Sequence, residues 1–327
     1  MIDRATLLKI ARDTAAQRMT ARRTVLSAYL TGSIAANEPL LGDATDIDLI
    51  VIDADPPTVT REIIRLTDQV ALDIQHRHPS EYANPKLLRA HPWRGPEMCE
   101  PYFVNDPSHF FELAQSSARG QFHRPDFVVE RARAFNELAR SELHVGWLPG
   151  GEPSEPVTLA GLSRALLNAA NAIISLTAFP GAGRRLALKL ESAAQKLQRP
   201  ELWADFMGLL EGSIAPYVAD WSAAYRAGQS LTDELIHPAR RTIYECGFNA
   251  QIQADRAADG VWLMLFTWQA LMKHIPTDSP LADRWIAFLE SLGMASSVGF
   301  AEKVTQAHDY LDLAAEAVDQ WAEENGA

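Results

Sequence analysis

The sequence predicts an α+β protein: a small β-sheet domain followed by a helical domain. Three observations carry this. Short apolar or β-branched runs bounded by turn residues occur in the first third of the chain. From Pro107 onward the apolar positions recur at helical spacing, with no convincing strand. The stretch GWLPGGEPSEP, residues 146–156, is the clearest linker. The expected domains are residues 1–125 and 126–327, although the helix expected from 127 suits either side of that boundary.

The elements follow in order. Residues 7–22 predict a helix, with Leu7, Leu8, Ile10 and Ala11 apolar and charges between them. Residues 24–30 predict a strand ending at Gly32-Ser33, and the run NEPLLGDAT, 37–45, is a loop punctuated by Pro and Gly. Residues 47–52 form a second expected strand, broken by 53–57. An amphipathic helix is expected over 60–69. VALDIQ, 70–75, reads as a third strand with Asp73 inside it, and 97–104 as a further one ending at Asn105-Asp106-Pro107. Helices are then expected over 127–143, 157–178, 184–197, 201–210, 238–255, 261–274, 281–292 and 298–324.

Composition narrows the function. With 47% hydrophobic and 22% charged residues the chain has the balance of an ordinary globular protein. The net charge of −12 is uneven: residues 1–124 hold 14 Lys+Arg against 16 Asp+Glu, the remainder 16 against 26. A polynucleotide partner normally demands a basic face, so the acidic balance disfavours tRNA or DNA. Two cysteines far apart, Cys99 and Cys246, give no disulfide framework or zinc spacing. No secretory signal is expected, because no basic patch leads into an apolar core at the N-terminus. The longest apolar run, Val261–Met272, is too short to span a bilayer and reads as a core helix. The expectation is a cytoplasmic protein without a membrane partner.

The chemistry gathers around Leu30-Thr31-Gly32-Ser33 and, twelve residues later, Asp46-Ile47-Asp48-Leu49. On a strand, residues i and i+2 share a face, so Asp46 and Asp48 present two carboxylates together. Gly32 lets the backbone approach a phosphate, and Ser33 with nearby N–H groups can hold one. Nucleotide transfer places negative charge at both ends of the displacement, which magnesium ions held by carboxylates neutralise. Asp73 supplies a third carboxylate, able to bind metal and to help take the acceptor's proton. A buried carboxylate is costly without a partner, so Asp73 requires a nearby cation. Neither G-x-x-x-x-G-K-[ST] nor a strand followed by G-x-G-x-x-G occurs.

Gly32-Ser33, twelve residues, then Asp46-Ile47-Asp48-Leu49, with Asp73 at the third position, resembles the signature of the DNA polymerase β-like nucleotidyltransferase superfamily. The wider stretch YLTGSIAANEPLLGDATDIDLIVI is similar to the subset that includes kanamycin-type nucleotidyltransferases. The match covers roughly residues 29–74, and the helical half is alike only in general character. The resemblance implies a short mixed β-sheet flanked by helices, then an all-α helical-bundle domain. It also implies Mg²⁺-dependent transfer of a nucleoside monophosphate from a nucleoside triphosphate, with ATP the expected donor. Gly32 and Ser33 would contact the triphosphate, Asp46 and Asp48 would ligate metal, and Asp73 would be the third ligand and base. Many relatives carry Arg-Gly shortly after the Gly-Ser turn, where this chain has Ala36-Asn37.

Other residues are weighed beside these. Asp43 reads as a loop acid, and Asp53 and Asp55 as solvated strand-end acids. Alternation puts Arg77 on the face of Asp73, and His76 and His78 on the other. Asp106 reads as a turn residue. Arg119, His123 and Arg124, or Arg184 and Arg185, could meet a triphosphate tail, but such clusters are more often solvated faces. Trp262 and Trp268 read as core. Three functions fit: nucleotide transfer to a hydroxyl of a small molecule, AMPylation of a protein acceptor, and nucleotide binding without turnover. A homodimer building a cleft from both domains is compatible with each.

Overall fold

A computed structural model describes residues 3–38, 40–146 and 156–327. The chain divides into two compact units, Met1–Phe127 and Val128–Ala327. The linker expected over 146–156 lies, apart from its two end residues, outside the described residues. The fold is α+β, a mixed five-stranded sheet in the first unit and helices in the second.

The first unit opens with α1 (Arg4–Ala21), whose Asp3 side chain caps the helix by accepting from Thr6 N at 2.7 Å. There follow β1 (Val25–Leu30), the single-turn α2 (Gly32–Ala35), β2 (Thr45–Asp53), β3 (Arg61–Arg65) and β4 (Val70–Arg77). Then come α3 (Pro85–Ala90), α4 (Arg94–Cys99), β5 (Tyr102–Asn105) and α5 (Phe110–Arg119). The strand order is β3-β4-β2-β1-β5. β2 and β4 run parallel, and every other pair is antiparallel.

Alternation sorts the side chains into two cores. Ile47, Leu49 and Val51 of β2, with Leu72 and Ile74 of β4, meet Leu7, Leu8, Ala11 and Ala15 of α1. Tyr29, Ile50 and Ile52 point to the opposite face and meet Tyr82, Leu88, Met98 and Phe111. Phe111 of α5 stacks on Tyr29 at 3.9 Å between ring centres. The second face therefore has an apolar half, under α3 to α5, and a carboxylate half, at Asp46 and Asp48.

Two expected elements are different in the structure. The helix expected over 60–69 is instead β3, antiparallel to β4, and a turn. Arg61, Ile63 and Arg65 face the side of Asp73, and Glu62 and Ile64 the other, as the β3–β4 register requires. Thr67 Oγ1 accepts from Gln69 N and Val70 N, which closes the hairpin. The strand expected over 97–104 is α4 followed by β5. Pro101 separates the two, and Pro96 sits in the first turn of α4, where its missing N–H costs nothing.

The second unit contains most of α6 (Pro125–Gly146), then α7 (Pro156–Ile174), α8 (Leu186–Lys196), α9 (Glu201–Leu209), α10 (Val218–Gly228), α11 (Arg241–Gln253), α12 (Val261–Met272), α13 (Pro280–Ser291) and α14 (Ser297–Asn325). One apolar cluster runs from Ala139 to Ala317. α12 is buried nearly all round, with Trp262 at 3% and Trp268 at 0% exposure. Trp262 Nε1 donates to Ser163 O at 2.9 Å, so the indole is satisfied inside the core. The turn after α7 is pinned by Asn171, which donates to Gly181 O at 2.8 Å and accepts from Gly181 N at 2.7 Å. No described helix is long and apolar enough to cross a membrane.

Candidate active site

Asp46 and Asp48 stand on β2 with one residue between them, so both carboxylates leave the face opposite α1. β4 lies parallel beside β2, with Asp73 the register partner of Asp48. Parallel strands in register keep paired side chains on one face. Each aspartate accordingly offers one oxygen to a group whose atoms lie within 4.8 Å of one another. Asp46 and Asp48 are half-buried, and Asp73 is 1% exposed.

The turn after β1 fits closely against this group. Thr31 N donates to Asp48 O at 3.0 Å, tying the strand end to β2. Gly32 then takes φ +68°, in the left-handed region. A Cβ at Gly32 would overlap Asp48 Oδ2 and come within 3.0 Å of Asp48 Cγ. The position therefore excludes a side chain twice, once by conformation and once by the carboxylate. Ser33 is half-buried in the first turn of α2, next to Gly32. Ala36 and Asn37 close that turn, Ala36 N donating to Gly32 O at 3.0 Å, and both residues are exposed.

The cation that Asp73 requires is Arg61. Its Nε donates to Asp73 Oδ1 at 2.7 Å and its Nη2 to Oδ2 at 2.8 Å, a two-pronged pair. Arg61 comes from β3, which stands where a helix is expected. The run REIIR does not alternate charged and apolar residues, so the sequence carries no strand signal here; the pairing of Ile63 with Asp73 is what puts Arg61 on the face of Asp73.

The remaining candidates lie elsewhere. Arg77 shares the face of Asp73, but its guanidinium is buried on Glu97 at 2.5 and 3.1 Å and donates to Gln75 and Tyr29. Burial tends to discharge it, yet Glu97 beside it keeps Arg77 firmly cationic. Burial raises the Tyr29 hydroxyl, held against Tyr82, well above its ordinary range. His76 occupies the α1 face, where Nε2 meets Glu62 at 2.6 Å and Glu62 meets Arg18 at 2.8 Å. Burial opposes ionisation of Glu62, but those two partners prevail and hold its carboxyl below the ordinary value. His78 accepts from Ser80 N at 3.2 Å and heads the short helical turn Pro79–Tyr82. Asp53, expected to be solvated, is 2% exposed and meets Arg22 at 3.1 Å. Its place at the end of β2 under the C-terminus of α1 explains the burial. Asp106 caps α5, accepting from Phe111 N and Glu112 N. Arg124 pairs with Asp126 at 2.9 Å. In the second unit, Arg184 and Arg185 fall in the helical turn Gly183–Arg185, and the Arg184 stem lies against Gly247.

No protein-family model matches the chain, and no curated protein matches it at a significant level.

Proposed function

We propose that this protein is a Mg²⁺-dependent nucleotidyltransferase, moving a nucleoside monophosphate from a nucleoside triphosphate to a hydroxyl of a small molecule. The observation that carries the reading is the meeting of Asp46, Asp48 and Asp73 beside the Gly32 turn. The donor set suits the ion: three carboxylates and no thiol or imidazole is the choice of a hard divalent cation. When bound there, magnesium would offset charge on the triphosphate and the attacking oxygen.

The chain's own residues would then act as follows. Asp46 and Asp48, fixed on one strand, would hold cation and triphosphate at a set distance. The backbone at Gly32 presents no side chain to the phosphates, and Ser33 lies in a first helical turn, where N–H groups have no intrahelical acceptor. Asp73 would orient the acceptor hydroxyl and accept its proton as the oxygen bonds to the α-phosphorus. The bond from that phosphorus to the bridging oxygen breaks, and pyrophosphate leaves with the electron pair. Arg61 keeps Asp73 aimed.

The test is incubation with α-labelled ATP, Mg²⁺ and a panel of hydroxylated amines. Labelled product is expected, and Asp46→Asn or Asp48→Asn should abolish it with the fold intact. A folded, magnesium-binding protein that labels no acceptor would count against the reading. Transfer to a protein would instead add the mass of one nucleoside monophosphate to a co-purified partner. Nucleotide binding without turnover is a second reading, favoured by one observation: both oxygens of Asp73 are already engaged by Arg61. Loss of a measured transfer activity in the Asp46 and Asp48 variants would exclude it.

A further inference from the structure

Gln75 belongs neither to the carboxylate group nor to the apolar half of its face. It lies on β4 two residues from Asp73 and two from Arg77, so all three side chains leave the sheet on one side. Its register partners are Ile50 of β2 and Arg61 of β3. Ile50 is fully buried, whereas Gln75 is half-buried. The residue therefore stands at the seam where carboxylates give way to apolar side chains.

Arg77 decides which way its amide turns. Arg77 Nη2 donates to Gln75 Oε1 at 3.1 Å. A guanidinium offers no acceptor, so the amide atom against it is the oxygen. Arg77 is itself fixed by Glu97, at 2.5 and 3.1 Å, and donates to the buried Tyr29 hydroxyl at 3.3 Å. With its oxygen committed, Gln75 keeps its NH2 group on the side away from Arg77, and the next side chain in that direction along β4 is Asp73. Among the described residues no side chain or carbonyl accepts from that NH2 group. A glutamate would satisfy Arg77 equally well. Only the amide adds a donor beyond it.

We propose that Gln75 is a specificity-determining residue of the acceptor subsite: its NH2 group donates to an oxygen on the carbon next to the reacting hydroxyl. This rests on the nucleotidyltransferase reading, which puts that hydroxyl at Asp73. Residues two apart on a strand are roughly 7 Å apart, a span that two neighbouring oxygens can bridge with a hydrogen bond at each end. An acceptor with carbon in place of the second oxygen leaves the amide unpaired and is disfavoured.

Three alcohols test this, with α-labelled ATP, Mg²⁺ and the full chain. 1-Methoxy-2-propanol carries the neighbouring oxygen, 2-pentanol replaces it with carbon, and 1-amino-2-propanol replaces it with a cationic donor. The wild type should favour the ether over 2-pentanol by about tenfold or more in kcat/KM. Gln75→Leu should bring that ratio to about one through the KM of the ether, with the KM of ATP unchanged. Gln75→Glu keeps an oxygen for Arg77 but loses the donor, so it should also lose the preference and turn toward 1-amino-2-propanol; it decides the matter should Gln75→Leu not fold. A Gln75→Glu variant with the wild-type preference would make Gln75 a prop for Arg77 and overturn the proposal. Equal wild-type rates on the ether and 2-pentanol, nil included, overturn it alone, because the nucleotidyltransferase reading stands on the panel of hydroxylated amines. If no acceptor of that panel is labelled either, both fall.

Discussion

Gly32 is where conformation and chemistry meet in a single residue. Its left-handed φ and its contact with Asp48 both exclude a Cβ. Gly32→Ala should therefore do more than strain a turn. It should push the Asp48 carboxylate out of line with Asp46 and Asp73. We expect a stability loss of about 2 kcal/mol and divalent cation binding weakened at least about tenfold, measured by chemical denaturation and Mn²⁺ titration. Equal binding by Gly32→Ala and wild type would show that the turn does not set the carboxylate. At this scale much is legible without coordinates. The grouping of Asp46, Asp48 and Asp73 follows from alternation on two apolar runs. Arg61 is not legible because REIIRLTDQ lacks an alternating pattern, and its partner strand is specified only by the hairpin turn. The burial of Asp53 is not legible in the sequence, because its partner Arg22 belongs to another element.

Short elements of this fold depend on side chains that stand in for backbone. The entry to α4 is an example. His91 Nδ1 accepts from Trp93 N at 3.2 Å and from Arg94 N at 3.1 Å, which requires the neutral ring. Burial, and next the Arg94 cation, hold the His91 pKa below its ordinary value of 6.5. The unfolded chain therefore binds this proton more readily than the folded one. The stability His91 contributes is complete above pH 6.5 and is lost as pH falls through the folded value. NMR titration should place its midpoint below 6.5. His91→Asn, whose amide oxygen can accept the same bonds without titrating, should flatten this part of the pH dependence of denaturation. A His91 midpoint above 6.5 would contradict the account. Elements of this size are poorly legible in sequence. α3 and α4 have six residues each, too few for a period to declare itself, and their caps, Asn84 and His91, are recognisable only once the bonds are known.

The whole molecule carries its cores in separate units. The two clusters on either side of the sheet lie within the first, and the cluster around α7, α12 and α14 within the second. Each unit has the size of an ordinary domain. Residues 128–327 expressed alone are expected to keep a helical circular dichroism spectrum and to melt cooperatively, and residues 1–127 to fold as a separate sheet-containing protein. A non-cooperative, spectrally coil-like 128–327 fragment would refute this. The division into a sheet part and a helical part is legible because strand and helix periods do not mix along the chain. The order of the strands is not, since β2 and β4 are parallel neighbours while β3, which lies between them in sequence, stands at the edge of the sheet. That parallel pairing has one more consequence. A slip of one residue between β2 and β4 would turn Asp73 toward the aliphatic side chains of α1 and bring Leu72 or Ile74 to the carboxylate face. The Asp73 carboxyl would then be buried among apolar side chains without Arg61, a costly placement for a polar group. The carboxylate row thus also disfavours a slipped strand registration, so that a chain in its native register is already a chain with its carboxylates aligned.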